Sequence, residues 1–425
     1  MPSGSATGPF RFVAHLIIIA VLIAAALAFA ATRAPWELAV GNLVLRSQQG
    51  TTHAFPAPDN ATLVTASRRQ APEIDSEAVR PRNVILVIGD GMGVGQVSSV
   101  STILHGPRGG LVMESAPYTG LMSHHAGNLL VTDSAASATA LATGFKTTKR
   151  TVSVLADGRV PVSIFEAARA NGLATGVVTT SGLIDATPAG FTAHQDHRER
   201  YAEILDDMLA GSAEVLIGGD WTDHEKAVAN SGLQERLGRI DELASAAGYE
   251  VVHDETQLNA SSGPVMALFP PRASGGSDAH GPPLDELVAF TLDRLSENEN
   301  GFVLLIESEI TDGAGHNNNI ADVVDAVREL DEAVATLLAW SEPRGDTLIV
   351  VTADHDTGGL GIVGGTYDTG MADVRWATVY HTGQWVPVFA FGPGAEHFTG
   401  VIDNTDVPIL FAKLLGIVDF PRLHP

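Results

Sequence analysis

Cysteine is absent from this 425-residue chain. Disulfides, zinc–thiolate centres and thiol nucleophiles are therefore excluded, and any transition metal must sit on histidine and carboxylate. Positive charge is scarce: lysine stands only at positions 146, 149, 226 and 413, and the formal net charge is −25 at pH 7. Such a surface has no footprint for nucleic acid. Apolar residues make up 45% and charged residues 18%, the balance of a folded protein with a sizeable core. The length suits one large α/β domain or two ordinary ones.

One uncharged apolar run is long, from Phe12 to Ala31, with Arg11 before it and Arg33 after it. Ala28-Phe29-Ala30 offers a small-x-small cleavage site, yet the run is just long enough to span a bilayer. Residues 1–35 thus read as a signal peptide or an N-terminal membrane anchor. Either places the bulk of the chain outside the cytoplasm, periplasmic or secreted. Residues 36–80 carry Pro56, Pro58 and Pro72 without sustained periodicity, and read as a linker or stalk with one short strand near Leu43–Leu45. The globular domain is expected over 81–425.

That domain alternates. Asn83-Val-Ile-Leu-Val-Ile88 is a continuous apolar run, the mark of a strand buried on both faces, and it ends in Gly89-Asp90-Gly91-Met92-Gly93. Ser163 to Glu166 is a capping-box pattern opening a helix that stops at Asn171-Gly172. Strands are predicted at Leu173–Thr180, Ala213–Ile217, Gly301–Ile306, Thr347–Thr352 and Val386–Phe391. Helices are predicted at Leu284–Ser296, along the stripe Val323, Val327, Leu330, Val334, Leu337, and at Asp406–Leu415. This order predicts a three-layer α/β/α fold around a central, mostly parallel sheet.

Chemistry gathers at strand ends. Asp90 follows one strand; Glu307, Asp312 and His316 follow another; Asp354-His355 follows a third. In a parallel sheet those carboxyl ends converge on one edge. Asp312 and His316 are one helical turn apart and can face a single ion. Carboxylate with imidazole and no thiol suits catalytic Zn²⁺, while oxygen-only subsets suit Mg²⁺. Val131-Thr-Asp-Ser134 runs into an Ala-rich helix, so Thr132, Asp133 or Ser134 is its N-cap. The free N–H groups and dipole at that end favour an anion or a serine alkoxide. Taken alone the ten-mer is more simply a capped surface helix; the clusters elsewhere overturn that.

These motifs together resemble those of the alkaline phosphatases, over about 81–425. The resemblance rests on Ile88-Gly-Asp-Gly-Met-Gly93, Val131-Thr-Asp-Ser134-Ala-Ala-Ser-Ala-Thr139, Asp185-Ala-Thr187-Pro188, Glu307 with Asp312 and His316, Thr352-Ala-Asp354-His355, and His381-Thr382-Gly383. It implies an alkaline-phosphatase-like α/β fold and hydrolysis of phosphate monoesters through a phosphoserine on Ser134, with two zinc ions and one magnesium, in a homodimer. By position, Asp312, His316 and His381 resemble the ligands of the first zinc, and Asp90, Asp354 and His355 those of the second. Thr187 and Glu307 resemble direct magnesium ligands shared with Asp90, and Asp185 reaches that ion through water. Arg198 stands where the family keeps its phosphate-clamping arginine. Many relatives carry Lys or His after the aspartate matching Asp312, where this chain has Gly313; a glycine there is expected to weaken product retention or to serve a left-handed backbone. Two alternatives are a phosphodiesterase or other ester hydrolase on the same scaffold, and a non-catalytic, metal-dependent phosphate-binding protein.

Overall fold

Buried apolar runs and amphipathic helices assemble into one ten-stranded sheet with helices packed around it. The computed structural model describes residues 79–211, 213–220, 231–269 and 281–425. The signal or anchor segment, the linker up to residue 78 and the strand expected near Leu43–Leu45 lie outside the described residues. Among the described residues no helix is long and apolar enough to cross a membrane.

The strands are β1 (Asn83–Gly89), β2 (Tyr118–Ser123), β3 (Ala174–Gly182), β4 (Val215–Gly219), β5 (Glu250–Val252), β6 (Val265–Phe269), β7 (Phe302–Ser308) and β8 (Thr347–Thr352). Two short ladders follow, β9 (Asp356–Thr357) with β12 (His381–Thr382) and β10 (Gly361–Thr366) with β11 (Met371–Arg375). Last come β13 (Val386–Phe391) and β14 (Gly400–Asp403). The order across the main sheet is β14-β2-β13-β8-β1-β7-β3-β4-β6-β5. The sheet is mostly parallel, as expected, but β13 runs antiparallel to both β8 and β2. Sequence pattern did not separate β2, β5, β6 or β14. Short apolar runs such as Val265–Phe269 do not declare their state, and β2 is half exposed.

β1, β7 and β8 are buried along their whole length, which explains their unbroken Val, Ile and Leu. Register aligns their ends: Ile88 pairs with both Glu307 and Thr352, and Thr179 pairs with Glu307. Asp90, Glu307 and Asp354 are thereby delivered to one edge of the sheet. The helix Ile320–Ser341 lays Val323, Val327, Leu330, Val334 and Leu337 into the core, all fully buried. At about 25 cal/mol per Å² of apolar surface, each such side chain contributes roughly 1.5–3 kcal/mol.

Candidate active site

The helix Ser134–Thr143 is buried at every residue. Its alanines are explained by a close neighbour, the helix Ala186–Thr192, where a Cβ added to Gly190 would lie 2.6 Å from the Ala138 Cβ. Larger residues would push the two helices apart and move Ser134 relative to Asp185 and Thr187. Asp133 is the N-cap and accepts from the Ala136 N–H at 3.2 Å, which places Ser134 in the first helical position. Ser134 Oγ lies 3.4 Å from His355 Nε2.

Two groups of ligand atoms converge, each within 4.8 Å: Asp312, His316, His381, and Asp90, Asp354, His355. In the first, His316 Nε2 is 3.2 Å from Asp312 Oδ2, His381 Nε2 is 3.5 Å from Asp312 Oδ1, and the two Nε2 atoms are 3.2 Å apart. His316 Nδ1 bonds the Val379 carbonyl at 2.7 Å and His381 Nδ1 the Thr132 carbonyl at 3.1 Å. Each Nδ1 therefore carries a proton, so in the neutral ring the Nε2 lone pair points inward, the arrangement of metal-ligating imidazole. In the second group, His355 Nε2 is 3.1 Å from Asp354 Oδ2 and 3.5 Å from Asp90 Oδ1. The rings of His355 and His381 stack at 3.6 Å and tie the groups together.

Buried carboxylates crowd this pocket. Among the described residues, Asp90 Oδ1, Asp354 Oδ2 and Thr187 Oγ1 are buried without a hydrogen-bond partner. Burial, then Asp354, Asp312 and Glu307, push the Asp90 carboxyl well above its ordinary range. Burial and then Asp312 raise Asp354 to about 8. Burial raises Glu307 to about 7, against the hydrogen bond from Thr179 and the adjoining Thr187 hydroxyl, which has no regular hydrogen bond to it. Burial and the neighbouring His381 push His355 well below the usual imidazole range. Crowded buried carboxylates facing neutral imidazoles fit divalent cations: His with Asp suits zinc, and the oxygens of Asp90, Thr187 and Glu307 suit magnesium.

Arg198 is the cation on the other side. Its Nη2 meets Asp185 Oδ1 at 2.9 Å and its Nη1 lies 3.6 Å from Asp133 Oδ2. Burial works against its charge, but Asp185, Asp133 and Asp90 outweigh it and raise its pKa. Arg200, two residues on, is exposed and pairs with Asp196. All eleven residues expected at the site from sequence lie at this edge. Asp185 caps the helix Ala186–Thr192 and holds Arg198.

Some residues here were not foreseen. Asp133 serves Arg198 as well as the helix cap. Thr357 Oγ1 donates a short hydrogen bond to Asp312 Oδ1 and lies 3.3 Å from His355 Nδ1, so one hydroxyl steadies ligands of both groups. Thr357 is two residues after His355, but its partner Asp312 is 45 residues away, and no local signal joins them. Gly91 is explained by crowding: its φ is +72°, and a Cβ would fall 2.8 Å from both Asp312 Cα and Thr357 Oγ1. Its N–H donates to Asp354 Oδ1 at 3.1 Å. Gly313 corrects an expectation. It sits inside the helix Ile310–His316 and is not in the left-handed region, so no backbone need for glycine exists there.

A family model described as alkaline phosphatase matches residues 81–372. The chain belongs to the alkaline phosphatase family. Phosphate monoester hydrolysis is accordingly its class of reaction. The Escherichia coli K12 alkaline phosphatase is 30% identical, over 88% of this chain and 93% of its own length. Streptomycin-6-phosphate phosphatase of Streptomyces griseus is 31% identical, over 84% and 95%. Among solved structures, the alkaline phosphatase of the Antarctic bacterium TAB5 matches with a TM-score of 0.70 at 28% identity, covering 80% of this chain and 99% of that one. The Thermus thermophilus alkaline phosphatase, at 23% identity and a TM-score of 0.70, shares the fold.

Proposed function

We propose that this chain hydrolyses phosphate monoesters to alcohol and inorganic phosphate by way of a phosphoserine on Ser134. The observation that carries the reading is the position of Ser134: its Oγ touches His355 of one ligand group, while the preceding residue, Asp133, holds Arg198. A nucleophile, a phosphate clamp and a cation site thus meet at one helix N-terminus. Asp312, His316 and His381 would hold one zinc ion, Asp90, Asp354 and His355 a second, and Asp90, Thr187 and Glu307 a magnesium, with Asp185 reaching it through water. Bound there, such cations supply Lewis acidity for the attacking and leaving oxygens of an in-line displacement. A TAB5 alkaline phosphatase variant similar to this chain carries magnesium in its M3 site, which supports the third position. A homodimer outside the cytoplasm, with residues 12–31 as signal or anchor, completes the reading.

The residues divide the work. The unpaired N–H groups of the first helical turn favour the Ser134 alkoxide over the hydroxyl. Arg198 presents a planar fork to two phosphate oxygens, a geometry lysine does not reproduce. Asp133 and Asp185 fix the plane of that fork before substrate arrives, which lowers the entropy cost of binding. A panel of monoesters, diesters and sulfate esters tests the reading on metal-replete protein; preference for a diester or sulfate ester would overturn it.

Arg198→Ala is expected to weaken inhibition by inorganic phosphate by about tenfold or more and to raise KM, with a smaller loss in kcat, because two charge-assisted hydrogen bonds vanish. Unchanged phosphate affinity would remove the clamp role. Gly313→Lys adds an ammonium one residue after Asp312. It is expected to tighten phosphate inhibition several-fold and to lower kcat where product release limits turnover. Because Gly313 is helical and not in the left-handed region, Gly313→Ala is expected to keep wild-type phosphate affinity. Equal affinities in the two variants would show that charge at 313 does not matter.

A further inference from the structure

A third group of ligand atoms stands apart from the active site: Glu166, His194 and His424, whose donor atoms also lie within 4.8 Å of one another. Three distant segments bring them together. Glu166 is in the first turn of the helix Ile164–Ala170, His194 follows the helix Ala186–Thr192, and His424 lies beyond the helix Asp406–Leu414. His194 Nε2 is 3.2 Å from Glu166 Oε2, and His424 Nε2 is 3.1 Å from Glu166 Oε1. The two imidazole rings meet nearly edge to face at 5.4 Å.

We infer that Glu166, His194 and His424 form a separate binding site for a divalent transition metal, zinc by the chemistry of its donors, which clamps the segment around His424. The spacing fits. Ligands about 2.0–2.1 Å from a tetrahedral zinc lie roughly 3.3 Å from each other; each histidine is close to that distance from one of the two Glu166 oxygens, His194 from Oε2 and His424 from Oε1, and all three donors lie within 4.8 Å. The surroundings of the ligands fit as well. His194 Nδ1 bonds the Ser153 carbonyl at 2.9 Å, which puts a proton on Nδ1, so that in the neutral ring the Nε2 lone pair faces Glu166, as for His316 and His381. Without a cation or a second proton, that lone pair would face a carboxylate oxygen, which is repulsive. Glu166 Oε2 is itself held by the Ser163 N–H at 2.7 Å through the capping box.

Two imidazoles and one carboxylate disfavour magnesium and calcium, which take oxygen ligands, and leave a fourth position for water. That position has room. The His424 side chain is 40% exposed, and Glu166 and His194 line an open cleft that also contains Asp207 and Arg169. Asp207 Oδ2 is already engaged by the His194 N–H and by Gln195 Nε2. The tail is preset for the clamp. Leu423 bridges to Pro161, and the His424 N–H donates to the Val160 carbonyl at 2.8 Å. The ion would join this tail to the segment that leads from His194 to Arg198.

The test is anomalous diffraction at the zinc edge from crystals of the full chain, zinc-loaded and then dialysed against zinc-free buffer. A zinc count per chain on the same dialysed samples and on His424→Ala accompanies it. The expected result is a peak about 2 Å from His194 Nε2, His424 Nε2 and the Glu166 carboxylate. His424→Ala should carry one zinc fewer per chain and keep the active-site peaks and the monoesterase activity. If the two active-site groups are occupied while this one shows no peak, or if His424→Ala has the wild-type zinc count, the inference is overturned. The three side chains would then be a carboxylate bridging two imidazolium groups. Glu166→Gln, which keeps the shape but not the charge, is the second variant should the His424 change unsettle the tail, and it too should lose one zinc.

Discussion

Replacing Ser134 with alanine is expected to lower turnover of a phosphate monoester by a factor on the order of 10³ or more while leaving the metal content intact. The hydroxyls on the same helix and just before it are engaged elsewhere. Thr132 Oγ1 donates to the Asp133 carbonyl, Ser137 Oγ to the Asp354 carbonyl and Thr139 Oγ1 to the Ala135 carbonyl. The fold should not suffer, because the cap is Asp133 and alanine is the better helix former at the first position. What remains is hydrolysis by water in the same field of charge. The check is an acid quench with labelled phosphate monoester. Label is expected on Ser134 in the wild type and on no residue in the variant; label elsewhere, or turnover within tenfold of wild type, would sink the assignment.

Removing the cations is expected to make stability depend on pH with a definite sign. In the metal-free folded protein, burial and neighbouring carboxylates raise Asp354 to about 8, and burial raises Glu307 to about 7. In the unfolded chain both return to about 4. Between those limits the folded state holds protons that the unfolded state has released, so stability falls as pH rises through the window. His355 and His381, whose pKa values burial lowers, act in the opposite sense, but only below their ordinary value of 6.5. His316, raised by the hydrogen bond its Nε2 donates to Asp312, adds to the fall. The carboxyl effect is therefore clearest from pH 6.5 to about 8.5. There the Tm of chelator-treated protein is expected to drop by on the order of 5 °C. The metal-replete protein should stay nearly flat, because bound cations keep the same carboxylates ionised at every pH in the window. Parallel slopes for the two forms would mean that Asp354 and Glu307 do not hold the cations.

Much of this was legible in the chain itself. Asn83–Gly89, Phe302–Ser308 and Thr347–Thr352 are apolar without interruption, so they had to be central strands. The residues just past them had to reach a common edge. Asp312 and His316 declared their pairing through helical spacing, and Ser163 with Glu166 declared a capping box that the fold contains. Local pattern also limited the chemistry, since a chain without cysteine leaves only imidazole and carboxylate for zinc.

Other features depend on separations that no local pattern spans. The antiparallel insertion of β13 between β8 and β2 follows from how the chain returns to the sheet, and its apolar run reads the same in either direction. Asp133 looked like a cap and is one, but its second partner, Arg198, comes from a segment 65 residues later. Thr357 joins Asp312 to His355 through a single hydroxyl, and the stacking of His355 on His381 merges two ligand groups into one pocket. Glu166, His194 and His424 were separately a capping residue, a polar-loop histidine and a residue of the tail. Sequence determines which side chains can carry charge, cap a helix or fill a core, because those properties are local. Tertiary structure alone decides which of them face one another in a dry pocket. Charges and lone pairs act over a few ångströms of space, whatever the length of chain between them.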